Sequence, residues 1–212
     1  MNPGPVTGAP AQGSAVDGRT ARGDRTRRQL AESLIALLEE GVDEPTAREV
    51  AAKAGVSLRL VFHHFNDMEE LLRTAVAVQV ERHWSRMRPV DPTLPVVERV
   101  TEVVQQRESL FEAISAVRRA AARVEPGSPT VSERLDAARR ALRRGVQEAF
   151  ASELSGAGRN RTEMLDALES AASWETWDQL RRRMSLRPAG ARRVMTRTLL
   201  ALLSNTNRAG GS

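Results

Sequence analysis

Two helix N-caps, Thr46 and Ser57, set on either side of a single glycine, constrain this chain more than any bulk property does. The stretch from Thr46 to Leu72 reads T-A-R-E-V-A-A-K-A-G-V-S-L-R-L-V-F-H-H-F-N-D-M-E-E-L-L. Thr46 and Glu49 form a capping box, so a helix starts at Ala47 with Val50 and Ala51 facing inward. Ala54-Gly55 ends it on the residue that best tolerates a left-handed turn, and Val56 points back to the core. Ser57 then caps a second short helix. Two short helices joined by a tight glycine turn make a helix-turn-helix, whose second helix is shaped to enter a major groove. Its outer face carries Arg59, Phe62 and His63, while Val61 and Phe65 turn inward at helical spacing.

These features, with a first helix ending at Glu40-Gly41, the H-F at His64-Phe65 and E-E-L-L ending at Leu72, resemble the TetR family of bacterial regulators. The resemblance is densest from Arg25 to Leu72. It continues in the order of helices beyond, and in the segment S-W-E-T-W-D-Q-L-R from Ser173 to Arg181. It implies an all-α fold: a three-helix helix-turn-helix domain followed by a helical ligand-binding and dimerisation domain, about nine helices altogether. The implied function is that of a ligand-responsive regulator, a repressor that binds a palindromic DNA operator as a homodimer and is released by a small molecule.

The contact residues for DNA follow from that motif. Arg48, near the start of the Thr46-capped helix, reads a guanine edge or remains a solvated arginine beside Glu44 or Glu49. Arg59 is the residue best placed for a base. Of Leu58 and Leu60 one should be exposed, and Leu60 can pack on a thymine methyl or be half-buried. His64 reaches the DNA backbone and His63 faces bases or sugars, while Thr46 and Ser57 offer donors to phosphate at helix N-termini. Phe62 stands where most of the family has tyrosine and Met68 where it usually has lysine, so two phosphate contacts are missing. An arginine-rich arm at Arg19, Arg22, Arg25, Arg27 and Arg28 can compensate.

Composition excludes other classes. The chain has 212 residues, a net charge of +5, no cysteine and one lysine, Lys53. There is no thiolate zinc site, no disulfide and no cysteine nucleophile. His63 and His64 lack the further ligands that a metal would need, so no metal or other cofactor is expected. No hydrolase, zinc-protease, phosphate-loop or dinucleotide signature occurs, so the chain is not read as an enzyme. No apolar run is long enough for a membrane span, and a cytoplasmic location is expected. The rival reading is a helical protein–protein adaptor that keeps a degenerate helix-turn-helix and no longer binds DNA.

Punctuation divides the chain into a Gly- and Pro-rich tail over residues 1–20, expected to be disordered, and a DNA-binding domain with its linker helix over 21–88. A ligand-binding and dimerisation domain follows over 89–205, and then a flexible end over 206–212. The prolines at 89, 92 and 95 set the boundary. The first helix is expected over residues 23–40, with Leu30, Leu34, Leu37 and Leu38 on one face. Asn66 should be a left-handed stop, and Asp67 with Glu70 a second capping box. Further helices are expected over 96–106, 108–124, 131–154, 161–184 and 188–203.

On a wheel, residues 161–184 are apolar nearly all round, so they should be buried on more than one side. Leu165 and Leu168 there, with Val194, Met195, Thr198, Leu199 and Leu202 on the last helix, are the candidate dimer interface. A ligand pocket implied by the resemblance would be lined by Trp84, Met87, Phe111, Ile114, Phe150, Met164, Trp174 and Trp177. With three tryptophans, four phenylalanines and no tyrosine in the chain, it should be aliphatic.

Overall fold

A computed structural model describes residues 14–84 and 86–209; within it the side chains of residues 14–19 and 205–209 are left aside. The described residues are helices joined by turns and short loops. The elements are α1 (Ser14–Glu39), α2 (Ala47–Ala54), α3 (Leu58–His64), α4 (Met68–Trp84), α5 (Val96–Val124), α6 (Pro129–Ala149), α7 (Ala151–Gly156), α8 (Arg161–Ala171), α9 (Trp174–Asp178) and α10 (Pro188–Ala209). No helix among the described residues is long and apolar enough to cross a membrane. The chain divides into two compact units at Ala75 and Val76, inside α4 and not at the prolines after it.

In the first unit the caps do what their residue types require. Thr46 Oγ1 accepts from Glu49 N at 3.3 Å, and Glu49 Oε2 accepts from Thr46 N at 2.7 Å, closing the capping box. Gly55 has φ 69°; its N–H reaches Ala52 O, and Val56 N reaches Ala51 O. Gly41, φ 92°, ends α1 with the same pair of bonds, to Leu38 O and from Val42 N to Leu37 O. Both are the two-bond left-handed stop that favours glycine. Leu30, Leu34, Leu37 and Leu38 of α1 are buried, as are Val50, Ala51, Val61, Phe65, Leu71 and Leu72. Val56 is only half-buried.

Three local expectations change. α1 begins at Ser14, so residues 14–20, assigned to a disordered tail, are helical, while residues 1–13 lie outside the described part. Extending an existing helix costs far less than nucleating one, which is how a Gly-containing stretch can be carried. Asn66 is not left-handed, since among the described residues the one non-glycine with positive φ is Ser185. Instead α3 stops because Phe65 turns extended, φ −136° and ψ 130°, to bury its ring. Asp67 Oδ1 does accept from Glu70 N at 2.7 Å, but Glu70 reaches one residue further back, to Asn66 N at 2.9 Å.

In the second unit α5 runs unbroken through residue 107, because nothing between Gln105 and Glu108 ends a helix. It packs on α6, α9 and α10, and α10 packs on α7 and α8. The helix expected over 131–154 breaks at Phe150, whose ring is fully buried. That break exposes the carbonyl of Ala149, which Arg99 Nη1 takes at 2.7 Å. The helix expected over 161–184 is three pieces. Ser173 caps α9 by accepting from Thr176 N at 3.1 Å, and residues 179–183 form a π-turn closed by Met184 N to Gln179 O. A single wheel drawn through such breaks loses phase, and so it showed apolar residues all round.

Candidate nucleic-acid interface and cavity

The first unit presents an exposed face on α3. On α3 the side chains of Arg59, Phe62 and His63 are exposed, Phe62 at 54 %, so an aromatic ring stands in solvent between two basic residues. Leu58 and Leu60 are both half-buried, so neither is the fully exposed leucine that was expected. Arg48 on α2 is exposed as well. Ser57 Oγ accepts from Leu60 N at 3.3 Å, a cap that leaves its own proton for an outside acceptor. Thr46 differs: its hydroxyl donates to Glu49 Oε2 at 2.7 Å, so that proton is already placed. The Thr46 backbone N–H, then its hydroxyl, hold the Glu49 carboxyl below the usual carboxylate range.

The expected arm is part of α1, and its members separate. Arg22, Arg25 and Arg28 lie exposed on the helix, Arg28 3.5 Å from Glu32. Arg27 is turned inward. It donates to the carbonyl of His64, pairs with Glu70 at 2.8 Å and lies 4.3 Å from the centre of the Phe65 ring. One side chain thereby fixes α1 to the end of α3 and the start of α4, and Arg27 leaves the set of outward-facing arginines. Its charge, together with burial and His63 beside it, lowers the His64 pKa; burial is the largest cause. Met68, half-buried, opens α4.

The second unit holds a partly open cavity of about 130 Å³. Of the residues named from sequence for a ligand pocket, Trp84, Phe111, Ile114 and Trp174 line this cavity. Met87 instead borders a separate hollow of about 220 Å³ with His83 and Gln106. Phe150, Met164 and Trp177 belong to the hydrophobic core. Trp177 packs 6.5 Å from Phe111 and gives its indole N–H to Glu112 at 3.1 Å. Trp174 gives its own to Ser115 at 3.0 Å, with Arg118 4.6 Å from the ring centre.

The cavity is not simply aliphatic. Gln79, Arg107, Arg118, Arg139, Glu169 and Glu175 also line it. One signal for Arg107 was present in the sequence. It falls on the stripe of Val100, Val103, Val104 and Phe111, where a helix facing a core should be apolar.

The interface candidates split in the same way. Leu165, Leu168, Met195 and Leu199 are buried by the chain's own core, while Thr198 is exposed, Leu202 half-buried and Val194 exposed at 39 %. The i, i+4 series Ala191, Met195, Leu199 and Leu203 turns inward and leaves the neighbouring stripe outside.

A capped helix, a glycine stop and a second capped helix with an exposed outer face define a helix-turn-helix protein. Residues 30–75 match the family described as bacterial regulatory proteins, tetR family. It is 32 % identical over 68 residues to the HTH-type transcriptional regulator PksA of Bacillus subtilis (strain 168). That match covers 32 % of this chain and 33 % of the relative, so the chain spans about a third of the relative's length. Among solved structures, a transcriptional regulator from Rhodococcus sp. Rha1 is similar with a TM-score of 0.68 at 20 % identity, over 84 % of this chain and 96 % of that one. A tetR-family transcriptional regulator from Streptomyces coelicolor is similar with a TM-score of 0.68 at 17 % identity, over 88 % and 83 %. At such identities the two structures speak to the fold.

Proposed function

We propose that this chain is a ligand-responsive transcriptional regulator of the cytoplasm, a repressor that binds a palindromic DNA operator as a homodimer and releases it when a small molecule occupies the cavity. The observation that carries this reading is the outer face of α3, where Arg59, Phe62 and His63 stand exposed on a helix capped at Ser57. Arg59 reads a base edge, and Phe62 supplies an apolar surface for a thymine methyl. Ser57, Arg22, Arg25 and Arg28 meet phosphates, so affinity should fall as salt rises. The exposed stripe of Val194, Thr198 and Leu202 supplies the contact between two copies, since a palindrome calls for a two-fold pair of reading heads. For the ligand to act, its affinity must differ between the DNA-bound and released states.

Gel shifts on the DNA upstream of the chain's own gene, at several salt concentrations, test the reading. Specific retardation that weakens with salt is expected, and Arg59→Ala should cost about 1–3 kcal/mol on the specific site with little change on random DNA. Val194→Glu should yield a folded monomer by sedimentation, with weakened operator binding. Absence of any specific shift would sink the regulator reading in favour of the adaptor.

A further inference from the structure

Arg107 lies on the inward stripe of α5, 3 % exposed. Its Nη2 donates to the carbonyl of Leu142 at 2.8 Å, while Nε and Nη1 are buried without an acceptor. The other two arginines lining the cavity are provided for. Arg118 meets Glu175 at 2.9 Å and Glu125 at 3.4 Å, and Arg139 meets Glu125 at 2.6 Å and Asp136 at 2.8 Å. The cavity's Glu169 is held by Arg143, which also takes Asp166 at 2.6 Å. Arg107 is thus the lining arginine whose hydrogen bond goes to a carbonyl and not to a carboxylate. Burial pushes its guanidinium down to about 10, opposed by the charge of Glu169, and it stays cationic at neutral pH.

A buried cation without a hydrogen-bonded carboxylate is costly, and so are buried donors lacking acceptors. An arriving anion relieves both at once. Leu110, Phe111, Ile114, Leu142 and Val146 supply an apolar part of the lining of the same cavity. Its volume of about 130 Å³ resembles that of engineered apolar cavities, ~150 Å³, that hold benzene.

We propose that the ligand of this cavity is a small monocarboxylic acid with an apolar body about the size of a phenyl ring, its carboxylate accepting from Nε and Nη1 of Arg107. A phosphate ester fits less well. It brings up to two charges and three terminal oxygens to a site with one such cation and two donor nitrogens lacking an acceptor. The assignment rests on the reading of the cavity as the effector site.

The test uses the full chain and paired probes: phenylacetate, 3-phenylpropanoate and hexanoate, each against its primary amide. Binding is followed by calorimetry and by tryptophan emission, since Trp84 and Trp174 line the cavity. For at least one body the acid should bind tenfold or more tightly than the amide. Arg107→Met should abolish that preference, and Arg107→Lys, which keeps the charge, should retain part of it even where the methionine variant folds poorly. Amides that bind as tightly as acids, or an acid preference that survives Arg107→Met, overturn the assignment and leave the ligand-responsive reading standing. Binding by neither series overturns both, while gel shifts without any ligand judge DNA binding separately.

Discussion

The first unit turns one arginine inward as a tie, whereas the second buries both a tie and an arginine left short of acceptors. In the first, Arg27 is satisfied throughout its length by a carbonyl, a carboxylate and an aromatic face. In the second, Arg99 is satisfied even more fully. It is 5 % exposed and bonds Leu94 O, Ala149 O and both oxygens of Glu153, at 2.6 and 2.9 Å for the carboxylate. Arg107, on the same helix and equally buried, has one carbonyl. Arg27 and Arg99 act as internal ties between helices. Arg107 reads as a place where stability is left unoptimised beside a cavity, which is the usual mark of a site kept for something else.

Removing a tie should therefore cost much, and removing Arg107 little. Arg99→Met strands Glu153 and the Ala149 carbonyl, and chemical denaturation should show a loss of about 3–5 kcal/mol. The added variant Glu153→Met should recover a good part of it, and full additivity of the two would mean the pair is not coupled. The pH dependence follows from the same contact. Arg99 holds the Glu153 carboxyl below the usual carboxylate range, and Glu153 in turn raises Arg99. Because the folded carboxyl is the stronger acid, its contribution is present above the unfolded pKa of ~4.3 and lost as pH falls through and below it. Arg99→Met should flatten that acid limb.

A smaller effect is expected at Arg27. Its side chain is about a third exposed, at 32 %, so solvent screens the pair with Glu70. Arg27→Met should cost about 2 kcal/mol through the lost charged hydrogen bonds and ring contact. It should also free the His64 carbonyl and raise amide exchange at the end of α3. The smallest change belongs to Arg107→Met, expected to shift stability by about 1 kcal/mol or less, and upward. A loss comparable with that of Arg99→Met would erase the contrast between the two arginines.

What could be read beforehand was local chemistry. Thr46, Gly55, Ser57 and Asp67 act within three or four residues, so their caps follow from sequence alone. So did the outward Arg59, Phe62 and His63. Breaks without proline or glycine were harder: Phe150 ends α6 because the core takes its ring, a tertiary cause. Ser173 was more accessible, since S-W-E-T carries an N-cap serine three residues before the residue whose N–H it accepts. The arginines were misjudged for one reason. A helical wheel counts every arginine as solvated, whereas its long stem allows burial when a carbonyl, a ring or a carboxylate waits at the end. Arg27 was therefore assigned to an arm, and Arg107 and Arg118 to no site at all. The stripe on the last helix divides by phase, because Leu199 and Val194 were placed on one face when the core claims the first and leaves the second exposed.

The unbroken course of α5 has a mechanical consequence. Its 29 residues make a rod of roughly 43 Å, at 1.5 Å per residue, with Arg99 and Arg107 about 12 Å apart along it. No proline or glycine interrupts it to act as a hinge. A push on the helix at Arg107 is therefore transmitted as tilt or translation of the whole rod, with the anchorage of Arg99 at the α6–α7 junction as its fulcrum.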